Sequence, residues 1–121
     1  MNVLIVDDSA AIRKILARVL HQTELPINTI HEAGDGVQAL KLLQSIKPQL
    51  ILLDVNMPNM DGLQLLTELK AHVELKPIPV VMVTSEGGEA KVLEALKLGA
   101  AGYVSKPFSA DQIKEKLAAI I

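Results

Sequence analysis

Leu50-Ile51-Leu52-Leu53-Asp54 sets four consecutive large apolar residues against a closing carboxylate. The apolar run is too short for a helix and has no polar alternation, the pattern of a strand buried on both faces. Runs of the same kind stand at residues 3–6 and 79–83, with a weaker one at 101–104. Residues 27–32 alternate Ile27, Thr29 and His31 with Asn28, Ile30 and Glu32, which suits a less buried edge strand. The gaps carry helical spacing: Ile12, Ile15, Leu16, Val19 and Leu20 recur at i, i+3, i+4, i+7 and i+8 as one apolar stripe. Val37, Leu40 and Leu43, then Leu63, Leu66 and Leu69, then Val92, Leu93 and Leu96, then Ile113, Leu117 and Ile120 repeat it. Gly99 stands where a left-handed helix cap is wanted, and Ser109 with Gln112 makes a capping box before the last helix. Five strands alternating with five helices predict right-handed βαβ crossovers and a parallel sheet covered on both faces.

The remaining composition narrows the function. A chain of 121 residues, 50% of them hydrophobic, has the length of one domain and the material for a core. The absence of cysteine excludes disulfides, thiolate metal sites and cysteine nucleophiles, and suits a reducing cytosol. No run approaches the roughly 18 apolar residues of a membrane span, and Met1 leads directly into the first strand without a basic region or cleavage site. A cytoplasmic protein that is neither exported nor membrane-bound is therefore expected. Twelve Lys and Arg against fourteen Asp and Glu give a net charge of -2, and Tyr103 and Phe108 are the only aromatic residues. Without a basic stripe interleaved with aromatics, direct nucleic-acid binding is not expected.

In an open parallel sheet, ligands bind outside the carboxyl ends of the strands, where successive connections diverge to opposite faces. The first strand ends in Asp7-Asp8, the third in Asp54, the fourth in Thr84-Ser85 and the fifth in Ser105-Lys106, so these residues are expected on one rim. Plainer roles exist for each alone: Asp8 and Ser9 also suit the cap of the first helix, Thr84 a turn, and Lys106 a solvated charge. Asp54 is harder to assign that way, because a carboxylate directly after a buried run needs a partner. Three clustered carboxylates repel one another and call for a cation. Oxygen-only donors favour Mg²⁺ or Mn²⁺ over zinc, and Mg²⁺ commonly takes one or two carboxylates together with phosphate oxygens. With Lys106 as a second positive charge and Thr84 as a hydroxyl, the rim suits phosphoryl chemistry in which one carboxylate becomes an aspartyl phosphate.

Several fragments then match a family in order along the chain. They are Leu4-Ile5-Val6-Asp7-Asp8, Glu32-Ala33 with Gly36, and Asp54-Val55-Asn56-Met57-Pro58 with Met60 and Gly62. Val83-Thr84 follows, and then Gly99-Ala100 through Tyr103 to Lys106-Pro107-Phe108. With them the chain resembles the receiver domain of bacterial two-component response regulators, above all the single-domain chemotaxis regulators of the CheY type. The resemblance covers essentially residues 1–121, taken as one receiver domain. It implies an α/β, doubly wound (βα)5 flavodoxin-like fold with a five-stranded parallel sheet of order 2-1-3-4-5, an order for which CheY itself is a standard example.

The resemblance also implies roles. Asp54 would accept the phosphoryl group from the phosphohistidine of a sensor histidine kinase, CheA-like or other. Asp8, Asp54 and the carbonyl of Asn56 would bind Mg²⁺ (or Mn²⁺) directly, and Asp7 through water. Lys106 and Thr84 would contact the phosphoryl oxygens, and Tyr103 would be an aromatic switch that turns inward as Thr84 moves. Asn56 and Glu86 would tune dephosphorylation, and the Lys106-Pro107 bond would be cis. Apart from the resemblance, the backbone freedom of Gly87 and Gly88 makes Glu86-Gly87-Gly88 the hinge candidate before the fourth helix. Such a protein is a monomeric signalling phosphoacceptor that catalyses only its own phosphorylation and dephosphorylation. It signals to a downstream protein through the face of the fourth helix, fifth strand and fifth helix.

Some residues depart from the family pattern. Val55 replaces the tryptophan beside the phosphoacceptor of the enteric chemotaxis protein, and Glu89 and Glu94 change the charge of the fourth helix, so a flagellar-motor partner does not follow. The last helix is short for a free-standing member, which leaves a receiver cut from a larger regulator as an alternative. A Mg²⁺-dependent phosphatase of the haloacid-dehalogenase type would place Asp-x-Asp after the first strand, whereas this chain has Asp7-Asp8. A flavodoxin-like electron carrier conflicts with two acids in the first loop, and the glycine fingerprints of P-loop and dinucleotide folds are absent.

Overall fold

The computed structural model describes residues 1–85, 89–106 and 108–120. The strands are β1 (Asn2–Val6), β2 (Thr29–Ala33), β3 (Leu50–Asp54), β4 (Val80–Thr84) and β5 (Gly102–Ser105). They alternate with the helices α1 (Ala10–Gln22), α2 (Gly36–Leu42), α3 (Gly62–Ala71), α4 (Glu89–Lys97) and α5 (Ala110–Ile120). All four strand pairings are parallel and the order is β2-β1-β3-β4-β5. The doubly wound, flavodoxin-like arrangement expected from the sequence is the arrangement found.

Alternation along the strands divides the core in two. Leu4, Val6, Ile51, Leu53, Val80 and Met82 face Ala39 of α2, Leu65, Leu66 and Leu69 of α3, and Ala95 of α4. Val3, Ile5, Leu50, Leu52, Val81 and Val83 face Leu16, Val19 and Leu20 of α1 with Ile113 and Leu117 of α5. The connection leaving β1 therefore runs to one face and that leaving β3 to the other. Between these neighbouring strands the loops diverge and open a crevice.

Helix ends follow their local chemistry. Ser9 caps α1 by accepting from the Ile12 N–H, and Asp61 with Gln64 forms a reciprocal capping box on α3. Ser109 and Gln112 exchange the same pair of hydrogen bonds before α5, at 3.1 and 2.9 Å. Gly99, at φ +107°, closes α4: its N–H reaches the Leu96 carbonyl and the Ala100 N–H reaches that of Ala95. Only glycine adopts that conformation without strain, and the two bonds satisfy carbonyls the helix would otherwise leave open.

Several expected boundaries and faces shift. β2 begins at Thr29 because the Ile27 N–H turns back to the Leu25 carbonyl at 2.8 Å, and its partial exposure is that of an edge strand. β4 starts after Pro79, whose carbonyl accepts from Ile51 while its nitrogen has no proton to give. The expected stripe on α4 is corrected: Val92 and Ala95 are buried, whereas Leu93 is 60% and Leu96 40% exposed. Small Ala95 lets the helix approach the sheet, and the bulkier leucines fall outside that seam. Ile15 and Val37 are exposed for a similar reason, with Leu16 and Ala39 taking the inward positions. Among the described residues, no helix is long and apolar enough to cross a membrane.

Candidate functional site

Asp7 directly follows β1, and its N–H continues the pairing with β2 by donating to the Ala33 carbonyl at 3.1 Å. Val6 is in register with Leu53, which brings Asp7 beside Asp54 at the carboxyl ends of adjacent strands. Both acids are buried, at 1% and 5% exposure, while Asp8 is open to solvent. Because Ser9 is the cap of α1, the capping role considered for Asp8 is already filled. Asp7, Asp8 and Asp54 can each offer a carboxylate oxygen such that the three atoms lie within 4.8 Å of one another.

Lys106 reaches in from the end of β5, two strands beyond β3 in the sheet. Its N–H donates to the Thr84 carbonyl, which fixes the backbone, and its Nζ lies 3.1 Å from Asp7 Oδ2 and 3.5 Å from Asp54 Oδ1. Thr84 is buried, and its hydroxyl donates to the Ser85 carbonyl at 3.2 Å. Burial, reinforced by the negative charges of Asp7 and Asp8, pushes the Asp54 carboxyl up to about 6 against the pull of Lys106. One ammonium thus leaves the three acids undercompensated, and an all-oxygen set of this kind fits a hard divalent cation.

Two further contacts shape the rim, and neither was legible as a motif. The Arg13 guanidinium donates to the Asp7 carbonyl while its Nε lies 2.9 Å from Glu32 Oε1, bracing the end of β1 against β2. Asn56, exposed two residues beyond Asp54, accepts at Oδ1 from Lys91 Nζ of α4 at 2.8 Å. The signal for both lies in tertiary structure, since the partners are 19 and 35 residues apart. Tyr103 is 42% exposed on β5, with the Lys116 ammonium 5.5 Å from its ring centroid. The expectations for Glu86, for the Glu86-Gly87-Gly88 hinge and for the Lys106-Pro107 bond lie outside the described residues.

The family model for the response regulator receiver domain matches residues 3–118. The chain belongs to that family. This receiver is 41% identical over 117 residues to chemotaxis protein CheY-3 of Vibrio cholerae, covering 97% of this chain and 88% of the relative. The high-resolution structure of chemotaxis response regulator CheY4 of Vibrio cholerae matches it with a TM-score of 0.85 and 32% identity, over 99% of this chain and 98% of that one. The Mn(2+)-bound form of response regulator Rcp1 matches with a TM-score of 0.79 and 31% identity, over 98% and 90%. In sequence and fold the receiver is CheY-like, and CheY-like response regulators are signalling proteins.

Proposed function

We propose that this receiver accepts a phosphoryl group on Asp54 from the phosphohistidine of a sensor histidine kinase and passes the signal to a downstream protein. The observation that carries the reading is the setting of Asp54: a buried carboxylate at the end of the central strand, between two acids and one lysine. A carboxylate oxygen of Asp54 attacks phosphorus, the P–N bond to the imidazole breaks, and its electron pair stays on nitrogen, which takes up a proton. Lys106 and the Thr84 hydroxyl bind the equatorial phosphoryl oxygens, so the protein contributes position and charge more than covalent chemistry. Asp8, Asp54 and the Asn56 carbonyl would hold Mg²⁺ or Mn²⁺, with Asp7 acting through water. When bound, such an ion neutralises charge on the transferred oxygens.

Water later attacks the same phosphorus and the bond to Asp54 breaks, giving inorganic phosphate and the free carboxylate, with Asn56 orienting the water. While the phosphoryl group is present, Thr84 moves toward it and Tyr103 turns into the space vacated, which alters the face formed by α4, β5 and α5. That face meets the downstream partner, and the names of the chemotaxis relatives favour a chemotaxis pathway working in the cytosol with a CheA-like kinase. Residues 1–121 act as one monomeric receiver domain. The deciding experiment is mass spectrometry after treatment with acetyl phosphate and Mg²⁺. A single phosphoryl adduct that Asp54→Asn loses is expected, and an adduct undiminished by that substitution overturns the assignment.

A further inference from the structure

Lys91 is the third residue of α4, a helix that rests on β4, yet its ammonium reaches across to the loop after β3. It meets the side chain of Asn56 there, with 2.8 Å between Nζ and Oδ1. An ammonium has three donors and no acceptor, so the atom of Asn56 that faces it must be the carbonyl oxygen. Fixing Oδ1 turns the Nδ2 amino group away from Lys91, and that group is the only donor the side chain has to offer water. An asparagine free in solvent would spread over several rotamers and both amide orientations.

We propose that Lys91 is a positioning residue for loss of the phosphoryl group from Asp54, acting through Asn56. By holding Oδ1 it keeps Nδ2 presented to the water that attacks phosphorus as the bond to Asp54 breaks. The electron pair of that bond returns to the carboxylate and the proton of the water leaves with the phosphate product. The proposal rests on the phosphoacceptor reading of Asp54 and adds to it a residue on a different element.

The test follows decay of radiolabelled phosphoryl protein after removal of the phosphodonor. Lys91→Met should slow decay by about threefold, the size expected of one exposed charge-assisted hydrogen bond that positions another group. Lys91→Arg, which keeps a charged donor, should stay close to the parent. In an Asn56→Ala background, Lys91→Met should have no further effect. Before any phosphorylation, the Asn56 side-chain amide resonances should move in Lys91→Met while the backbone amides of Leu65 and Val81 stay in place. A labelled parent whose decay ignores Lys91→Met overturns the positioning role alone. The same slowing without Asn56 also overturns it, since the ammonium would then act by itself. Unmoved Asn56 resonances refute the contact, and a parent that takes no label overturns both this proposal and the reading beneath it.

Discussion

A Cβ added to Gly62 would stand 2.2 Å from the carbonyl oxygen of Asp54. The opening turn of α3 is pressed against the end of β3 so closely that no side chain fits between them, and the Gly62 N–H bonds the Val55 carbonyl at 2.9 Å. The obstructing atoms are backbone, which cannot swing aside as a side chain would. Gly62→Ala should therefore cost roughly 1–3 kcal/mol of stability, read from urea unfolding, and should slow labelling of Asp54 by displacing it. An unchanged midpoint with an unchanged labelling rate would mean that α3 shifts at little cost.

The raised pKa of Asp54 has a definite sign in stability. Between the ordinary 3.8 and about 6, the folded chain holds a proton that the unfolded chain has released. Stability contributed by this residue therefore falls as pH rises through that window, and the penalty is complete above it. In the metal-free protein, Asp54→Asn should be more stable than the parent by roughly 1–3 kcal/mol near neutral pH, with the gap closing toward about pH 4. Denaturant titrations across that range check it, and a gap that widens on acidification would contradict the assigned burial.

Lys106 offsets part of the charge on Asp7 and Asp54. Lys106→Met should raise the Asp54 pKa further above its present position, visible as a shifted carboxyl-carbon titration in NMR. It should also destabilise the metal-free fold by about 1–3 kcal/mol, because Asp7 is left buried without its cation while the lysine itself is partly solvated. A downward shift of the Asp54 titration would show that desolvation by the lysine stem outweighs its charge.

Labelling of Asp54 by acetyl phosphate should require a divalent cation. Excess chelator should abolish it, and so should Asp8→Ala, since Asp7 and Asp54 are left to share the ion. Equal labelling with and without chelator is the contrary result.

Thr84→Ala should leave Asp54 able to accept the group while breaking the link to β5. Beryllofluoride, which stands in for the phosphoryl group, should perturb resonances of Tyr103 and Lys116 in the parent far more than in this variant. Identical perturbation in both would remove Thr84 from the coupling.

Much of the frame was readable because it depends on short-range pattern. Leu50-Ile51-Leu52-Leu53 needs no partner to be recognised as a doubly buried strand, and Ser109 with Gln112 or Gly99 reports a helix end within a few residues. The rim was readable for a topological reason: parallel strands must all place their carboxyl ends on one edge, so Asp7, Asp54, Thr84 and Lys106 had to gather. The exposure of Leu93 and Leu96 was not, since hydrophobicity alone favours leucine over Ala95 and the seam is set by how closely α4 can approach. The reach of Arg13 to Glu32 and of Lys91 to Asn56 was also hidden, because long side chains choose partners that only the folded chain brings near.

The pairing of first and last helices on one face of the sheet has a consequence during synthesis. Leu16, Val19 and Leu20 of α1 are covered in part by Ile113 and Leu117 of α5. While the ribosome is still adding β4 and β5, the β2-β1-β3 ribbon can assemble with α1 laid against it, yet that face keeps an uncovered apolar strip. The strip closes only when α5 clears the exit tunnel. Until then the nascent chain presents to its surroundings the kind of sticky surface that chaperones bind, so premature termination within α5 should yield a product prone to aggregation and proteolysis even though every residue of the acidic rim has already been made.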